Sequence, residues 1–257
     1  MEHVVDIREL VEDGATVGIG GNGTSRKPMA LVRELVATGV RDLRIVSFLG
    51  SVEVEYLLVA GAVAEIHTAG VGLDAVGLAP RYRQARENGA PTVHRWSEGA
   101  LYTALDAAAR GVPSLPASTS PRSGVTGSNP AIKAIEDPFT GREVVQVRAL
   151  PVDVALIHAT AVDARGNIHV DGDLAVDDIL ARAAAHVVVS VEERDPDRVP
   201  AEAVLGRIWV DQVVLRQGGS WPTGCPPRWP VDDVVIAAWA KSKGEDRAVL
   251  EPKEVTQ

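Results

Sequence analysis

Apolar positions along this chain alternate between two spacings. Val4, Ile7, Leu10 and Val11 keep a helical period, and Asp13-Gly14 ends that segment. Residues 16–20 then read as a short buried strand running into glycines, and Pro28 stands as the first-turn proline of a helix that carries Met29, Leu31, Val32, Leu35 and Val36 up to Gly39. Strand-like runs at 43–48, 63–67 and 93–96 alternate with helical spacing at 52–59 and 81–87. Ser97 is placed to cap a helix over 98–110. Further on, strands are expected at 144–147, 154–157, 168–170, 187–191 and 213–215, with a helix at 177–185. This β-α-β-α order predicts an α/β fold: an open, mainly parallel sheet with helices on both faces.

Two stretches depart from the rhythm. Residues 113–141 are rich in Pro, Ser, Thr, Gly and Asn, and no apolar period in them lasts more than a few residues. A functional or disordered loop is the expectation there. The chain turns polar after Lys241, so the tail beyond about residue 242 is expected to fray. With no linker and no repeat, residues 1–257 are read as one domain.

Composition narrows the class. Of the residues, 46% are hydrophobic and 24% charged, the pattern of a globular protein. A single cysteine, Cys225, leaves no internal disulfide framework and no Cys-cluster metal site, and nothing in the sequence requires a metal. No apolar run approaches the roughly 20 residues that cross a bilayer, and the start lacks the basic-then-apolar order of a secretory signal. A cytoplasmic protein without a membrane partner is the expectation. Acidic residues outnumber basic ones, 35 to 26, which argues against a nucleic-acid partner.

Gly18-Ile19-Gly20-Gly21-Asn22-Gly23 satisfies the dinucleotide spacing G-x-G-x-x-G, yet fails its context. Four residues separate Gly23 from Pro28, and the second strand ends in Ser47-Phe48-Leu49-Gly50 without the acid that would hold a ribose. Two readings remain. In one, glycines leave backbone N–H groups open to an acyl or phosphate oxygen, with Arg26 and Lys27 attracting an anion. In the other, the segment is a tight strand-to-helix turn with a solvated basic pair.

Asp13-Gly14 followed by a strand and by Gly20-Gly21-Asn22-Gly23-Thr24-Ser25-Arg26-Lys27-Pro28 resembles the A-subunit glycine motif of the family I CoA-transferases. Asn22 stands where that motif has an aromatic residue, and Arg26 where it has a second glycine. The Arg-Lys-Pro form is similar to the glutaconate CoA-transferase branch and its steroid-ring-opening relatives. Arg95-Trp96-Ser97-Glu98-Gly99-Ala100-Leu101 resembles a second landmark, and 151–159 with Ala161-Val162-Asp163-Ala164-Arg165-Gly166-Asn167 a third. Beyond residue 200 no landmark matches.

The resemblance implies the CoA-transferase (NagB/RpiA-like) fold and a two-step exchange through a glutamyl-CoA thioester. The nucleophilic glutamate of such enzymes sits in a Ser-Glu-Asn-Gly motif of the B-type half. Here Glu87-Asn88-Gly89 follows Arg86 and ends a helical segment, where Asn-Gly is an ordinary stop. The chain therefore reads as an A subunit, inactive without a B-type partner in a heterodimer or heterotetramer. Acyl-CoA is its ligand, coenzyme A enters as a substrate moiety, and no permanent cofactor is expected. Gly20, Gly21, Asn22, Gly23, Arg26 and Lys27 are the candidate substrate residues, joined by the hydroxyls of Ser118 and Thr119. Glu98 carries two readings: a favourable charge at a helix start, or the acid/base of a hydrolase that opens a ring of a CoA ester. A fold relative that binds a phosphate ligand without CoA chemistry is the remaining alternative. His67 and His158 are read as packed, and Asp163 with Asn167 as turn-formers.

Overall fold

The computed structural model describes residues 7–118, 124–199, 202, 204–243 and 245–252. After a short helix α1 (Ile7–Leu10), β1 (Thr16–Ile19) enters the centre of a large sheet. There follow α2 (Met29–Ala37), β2 (Leu43–Ser47), the two-residue β3 (Leu49–Gly50), α3 (Val52–Val59), β4 (Val63–Thr68), β5 (Gly70–Val71), α4 (Pro80–Asn88), β6 (Thr92–Arg95) and α5 (Glu98–Ala109). Beyond the middle segment come β10 (Val152–Val162), β11 (Ile168–His169), α7 (Asp177–Ala183), β12 (Ala184–Arg194) and β13 (Gln212–Leu215). The sheet order is β13-β12-β10-β1-β2-β4-β6, parallel at every step, with β11 pairing antiparallel to β10. This is the open, mainly parallel α/β sheet read from the sequence.

Side chains on the two faces of the sheet feed two cores. On one face Val17 and Ile19 meet Leu31, Leu35, Tyr56 and Trp239. On the other, Ala155, Ile157 and Val189 meet Trp96, which follows β6, and Leu101, Leu105 and Leu180 of α5 and α7. Gly18 lets α7 sit directly on β1, since a Cβ there would lie 2.5 Å from Leu180 Cδ1. The Asp163 carboxylate closes the turn after β10 by accepting the Arg165 and Asn167 N–H groups at 2.8 and 2.9 Å, as its Asp-x-x-x-Asn spacing suggests. No helix of the described residues is long and apolar enough to cross a membrane.

Two expectations fail. The irregular stretch 113–141 holds β7 (Ser114–Ala117), a short helix α6 (Gly124–Ser128) and β8 (Ile132–Glu136), which join β9 (Glu143–Arg148) in an antiparallel sheet of order β7-β9-β8. Only one face of this sheet reaches the core, through Ile132, Val145 and Val147, so exposed positions break the apolar period. The tail is also not frayed over 245–252. Helix α8 (Asp233–Lys241) and a 3-10 turn (Arg247–Leu250) follow, and Leu250 is fully buried. Arg33 binds the Leu250 carbonyl through Nε and Nη2, at 3.0 and 2.7 Å. Glu55 anchors α8 by accepting from Trp239 Nε1 at 2.9 Å while its Oε1 takes the Tyr82 N–H at 2.7 Å. Burial pushes the Glu55 carboxyl pKa up, against these hydrogen bonds.

Candidate active site at the glycine loop

Parallel α/β sheets place ligands beyond the carboxyl ends of their strands. The glycine loop leaves β1 at that edge, Glu98 follows β6 at the same edge, and β2 and β4 lie between them. Three strand spacings separate the two, about 14 Å.

The loop is built inward. Its N–H groups are spent within the chain: Gly20 on Leu156 O (2.9 Å), Asn22 on Ser25 O (2.9 Å), Gly23 on Leu49 O (3.0 Å) and Arg26 on Gly224 O (2.8 Å). Gly21 N–H donates to Asp177 Oδ1 at 2.8 Å, Thr24 N–H to Asp74 Oδ2 at 2.9 Å, and Lys27 N–H to Thr223 Oγ1 at 3.1 Å. Gly21 takes φ +75°, and a Cβ there would lie 2.5 Å from the Ser25 carbonyl oxygen. The expectation of open backbone donors at Gly20, Gly21 and Gly23 is therefore corrected. The glycines serve close backbone approach.

The basic pair is corrected in the same sense. Arg26 and Lys27 are fully buried. Arg26 Nη1 meets Asp177 Oδ2 at 2.7 Å and the His158 carbonyl at 3.0 Å, and Nη2 donates to the Asp173 carbonyl. Lys27 Nζ lies 3.2 Å from Glu53 Oε1 and 3.3 Å from Ser47 Oγ. Glu53 is itself fully buried and accepts from Ser47 Oγ at 2.8 Å. Each cation is neutralised where it sits, because a buried charge without a partner is prohibitively costly. These ion pairs lock the turn to α7 and α3.

A cavity of about 430 Å³ remains beside the loop, lined by Asn22, Gly23, Leu49, Gly50, Gly70, Val71, Gly72 and Asp74. Its wall is mostly backbone and small apolar groups, with Asn22 as its polar uncharged side chain. Asn22 Nδ2 donates to Asp173 Oδ2 at 3.0 Å, while Asn22 Oδ1 is buried with no hydrogen-bond partner. That oxygen is an acceptor left for a ligand donor.

Glu98 is exposed at the first turn of α5, and its carboxylate makes no hydrogen bond or ion pair among the described residues. Ser97 caps the helix as expected, accepting the Ala100 N–H at 3.3 Å. Ser118 is exposed just past β7 of the small sheet and makes no hydrogen bond to the glycine loop. Thr119 lies outside the described residues. Glu87 is on the surface at the end of α4, ion-paired to Arg83 Nε at 2.8 Å, and Gly89 supplies the left-handed cap at φ 69°. His158 is packed as read, and His67 stacks on His94 with ring centroids 4.4 Å apart. Asp177, Asp173, Asp74 and Glu53, the acids that hold the loop, were not legible. Only the first-turn place of Asp177 hinted at any of them.

Residues 1–216 match the family described as Coenzyme A transferase. The chain is 32% identical over 239 residues to an uncharacterized protein of Archaeoglobus fulgidus, which takes in 91% of this chain and 53% of that one, so it spans about half of that relative's length. It is 32% identical over 241 residues to the IpdA subunit of a cholesterol ring-cleaving hydrolase from Mycobacterium tuberculosis, covering 87% of this chain and 81% of that one. The A subunit of glutaconate CoA-transferase from Acidaminococcus fermentans is 30% identical over 258 residues, covering 91% and 80%. The solved glutaconate coenzyme A-transferase of that organism superposes with a TM-score of 0.87 at 28% identity over 95% of this chain and 83% of that chain. The decarboxylase AibA/AibB superposes with a TM-score of 0.86 at 35% identity over 95% and 94%.

Proposed function

Because the chain belongs to the coenzyme A transferase family, we propose that it is the A subunit of a heteromeric enzyme that transfers coenzyme A between carboxylic acids. A separate B-type chain supplies the glutamate that becomes the glutamyl-CoA thioester. The observation that carries this reading is the state of the glycine loop. Its cations are neutralised, its N–H groups are occupied, and the carboxylate that lines the cavity, Asp74, is held by Thr24 through Oδ2, so the loop is a preformed wall awaiting a reacting group from elsewhere. Splitting acyl transfer through an enzyme carboxylate is covalent catalysis, and the one Glu-Asn-Gly of this chain is tied up in a surface ion pair. The acyl group sits in the cavity between Asn22 and Gly72, and acyl-CoA is bound as substrate.

One observation favours a second reading. The unpaired Glu98 carboxylate stands at the same sheet edge, and a ring-cleaving hydrolase subunit is among the similar proteins. In that reading Glu98 moves protons between water and a cyclic CoA ester. The experiment measures turnover of the complex of this chain with its B-type partner, wild type against Glu98→Gln, with each chain alone as control. Transfer predicts an inactive isolated chain and a loss within about tenfold for Glu98→Gln, the order of one helix-end charge. A loss beyond about a hundredfold, the range of acid–base catalysis, replaces transfer by hydrolysis. Full activity of the isolated chain overturns both.

A further inference from the structure

Among the described residues, two clusters of metal-ligating side chains lie outside the glycine-loop cavity, and their hydrogen-bond partners separate them. Glu65, His67 and His94 bring their ligand atoms within 4.8 Å of one another on β4 and β6. Trp96 Nε1–H donates to His67 Nδ1 at 3.3 Å. An indole N–H can only donate, so the proton of the neutral His67 ring is on Nε2, which faces Glu65 Oε2 at 3.7 Å. That nitrogen has no lone pair for a metal. This cluster is a hydrogen-bonded one.

His158 on β10, Glu192 on β12 and Cys225 also lie within 4.8 Å of one another, and all three are buried. Here the partners leave either ring nitrogen open to the proton. Ser190 Oγ lies 3.3 Å from the Ile157 carbonyl, to which it can donate, and 2.8 Å from His158 Nδ1, whose N–H it can accept, so the Nε2 lone pair is available to a metal. His158 Nε2 is hydrogen-bonded to Glu192 Oε1 at 2.6 Å, while Glu192 Oε2 accepts the Gly218 N–H at 2.9 Å. A metal would displace the proton of that hydrogen bond and take both atoms as ligands. Cys225 Sγ is within reach, and among the described residues it has no hydrogen-bond partner.

The geometry points to a buried divalent-metal site held by His158 Nε2, Glu192 Oε1 and Cys225 Sγ, with Zn²⁺ the ion that an imidazole, carboxylate and thiolate suit. Loading exchanges one Zn²⁺ for two protons, one from the Cys225 thiol and one shared by His158 and Glu192, so the buried charge is unchanged. Tetrahedral Zn–N and Zn–O bonds of about 2.0–2.1 Å set those atoms about 3.3 Å apart, so the His158–Glu192 contact opens by under about 1 Å. Three protein ligands leave the fourth position to a water. Cys225 adjoins Gly224, whose N–H and carbonyl pair with Thr24 O and Arg26 N at 2.9 and 2.8 Å. The metal would clamp the segment behind the glycine loop to β10 and β12.

The test takes the full chain purified without chelator or metal-affinity resin. Elemental analysis should find about one zinc per chain. After exchange with Co²⁺, the wild type should show the near-ultraviolet absorption of a cobalt–thiolate bond. Cys225→Ser should abolish that band, and Ser190→Ala, which removes the acceptor for the His158 Nδ1 proton, should weaken metal binding roughly 10–100-fold. His94→Ala should keep the metal. Wild-type chain refolded with Zn²⁺ or Co²⁺ that binds below about a tenth of an equivalent, without the thiolate band, overturns the site and leaves a protonated His158–Glu192 pair. A band that persists in Cys225→Ser overturns it as well. The wild-type cobalt spectrum decides the matter even if every variant fails to fold.

Discussion

Replacing Arg26 by Met distinguishes a guanidinium that holds the fold from one that holds an anion. Arg26 is fully buried, pairs with Asp177 at 2.7 Å and donates to the carbonyls of His158 and Asp173. Removing one partner of such a pair strands the other charge, which costs about 3–5 kcal/mol. For a chain of this size each kcal/mol moves Tm by about 2–4 °C, so Arg26→Met should lower Tm by about 6–20 °C. Asp177 also accepts the Gly21 N–H at 2.8 Å. The double variant Arg26→Met/Asp177→Asn removes both charges and keeps an oxygen for Gly21, so it should melt above the single variant. Calorimetry of the three proteins reads the effect, with the KM for acyl-CoA measured in the complex. A Tm within about 2 °C of wild type together with a KM raised about tenfold would refute the reasoning and make Arg26 a ligand-binding group.

Other expectations follow from the same contacts. Gly21→Ala meets the Ser25 and Arg26 carbonyl oxygens at 2.5 and 2.6 Å, whereas a Cβ on Gly23 comes nearest to the Asp74 carboxylate at 3.1 Å. Urea unfolding should show a loss of roughly 2–5 kcal/mol for Gly21→Ala and roughly 1–2 kcal/mol for Gly23→Ala, and equal losses would contradict the backbone account. Burial, then the neighbouring His94, holds the His67 ring neutral down to about 4, against an ordinary value of 6.5. Between those values only the unfolded chain binds the proton, so stability falls as pH drops from about 6.5 to about 4, by at most roughly 3 kcal/mol. His67→Gln should flatten that part of the pH profile of urea unfolding; a slope unchanged from wild type would remove His67 as its source.

The order of strands and helices was readable because each buried strand is a short apolar run and each helix carries a stop or a cap, such as Gly89 for α4 and Ser97 for α5. Of the small sheet only its middle strand β9 was readable, at 144–147. Its strand β8 exposes every residue after Ile132, so the sequence shows no period-2 signal there. At the site, the sequence located the loop and misjudged its charges. Arg26 and Asp177 are 151 positions apart, and Arg33 finds its carbonyl acceptor 217 positions away. Local spacing carries no trace of such pairs. A basic pair before a helix reads as solvated until the tertiary fold supplies Asp177 and Glu53.

The central claim is that the covalent step belongs to the partner. The direct measurement is to incubate the complex with acyl-CoA, trap the enzyme-bound CoA thioester, and identify by mass spectrometry which chain and which glutamate carry it. The account predicts an adduct on a glutamate of the B-type chain and none on this one. An adduct on Glu87 or Glu98 of this chain would contradict it.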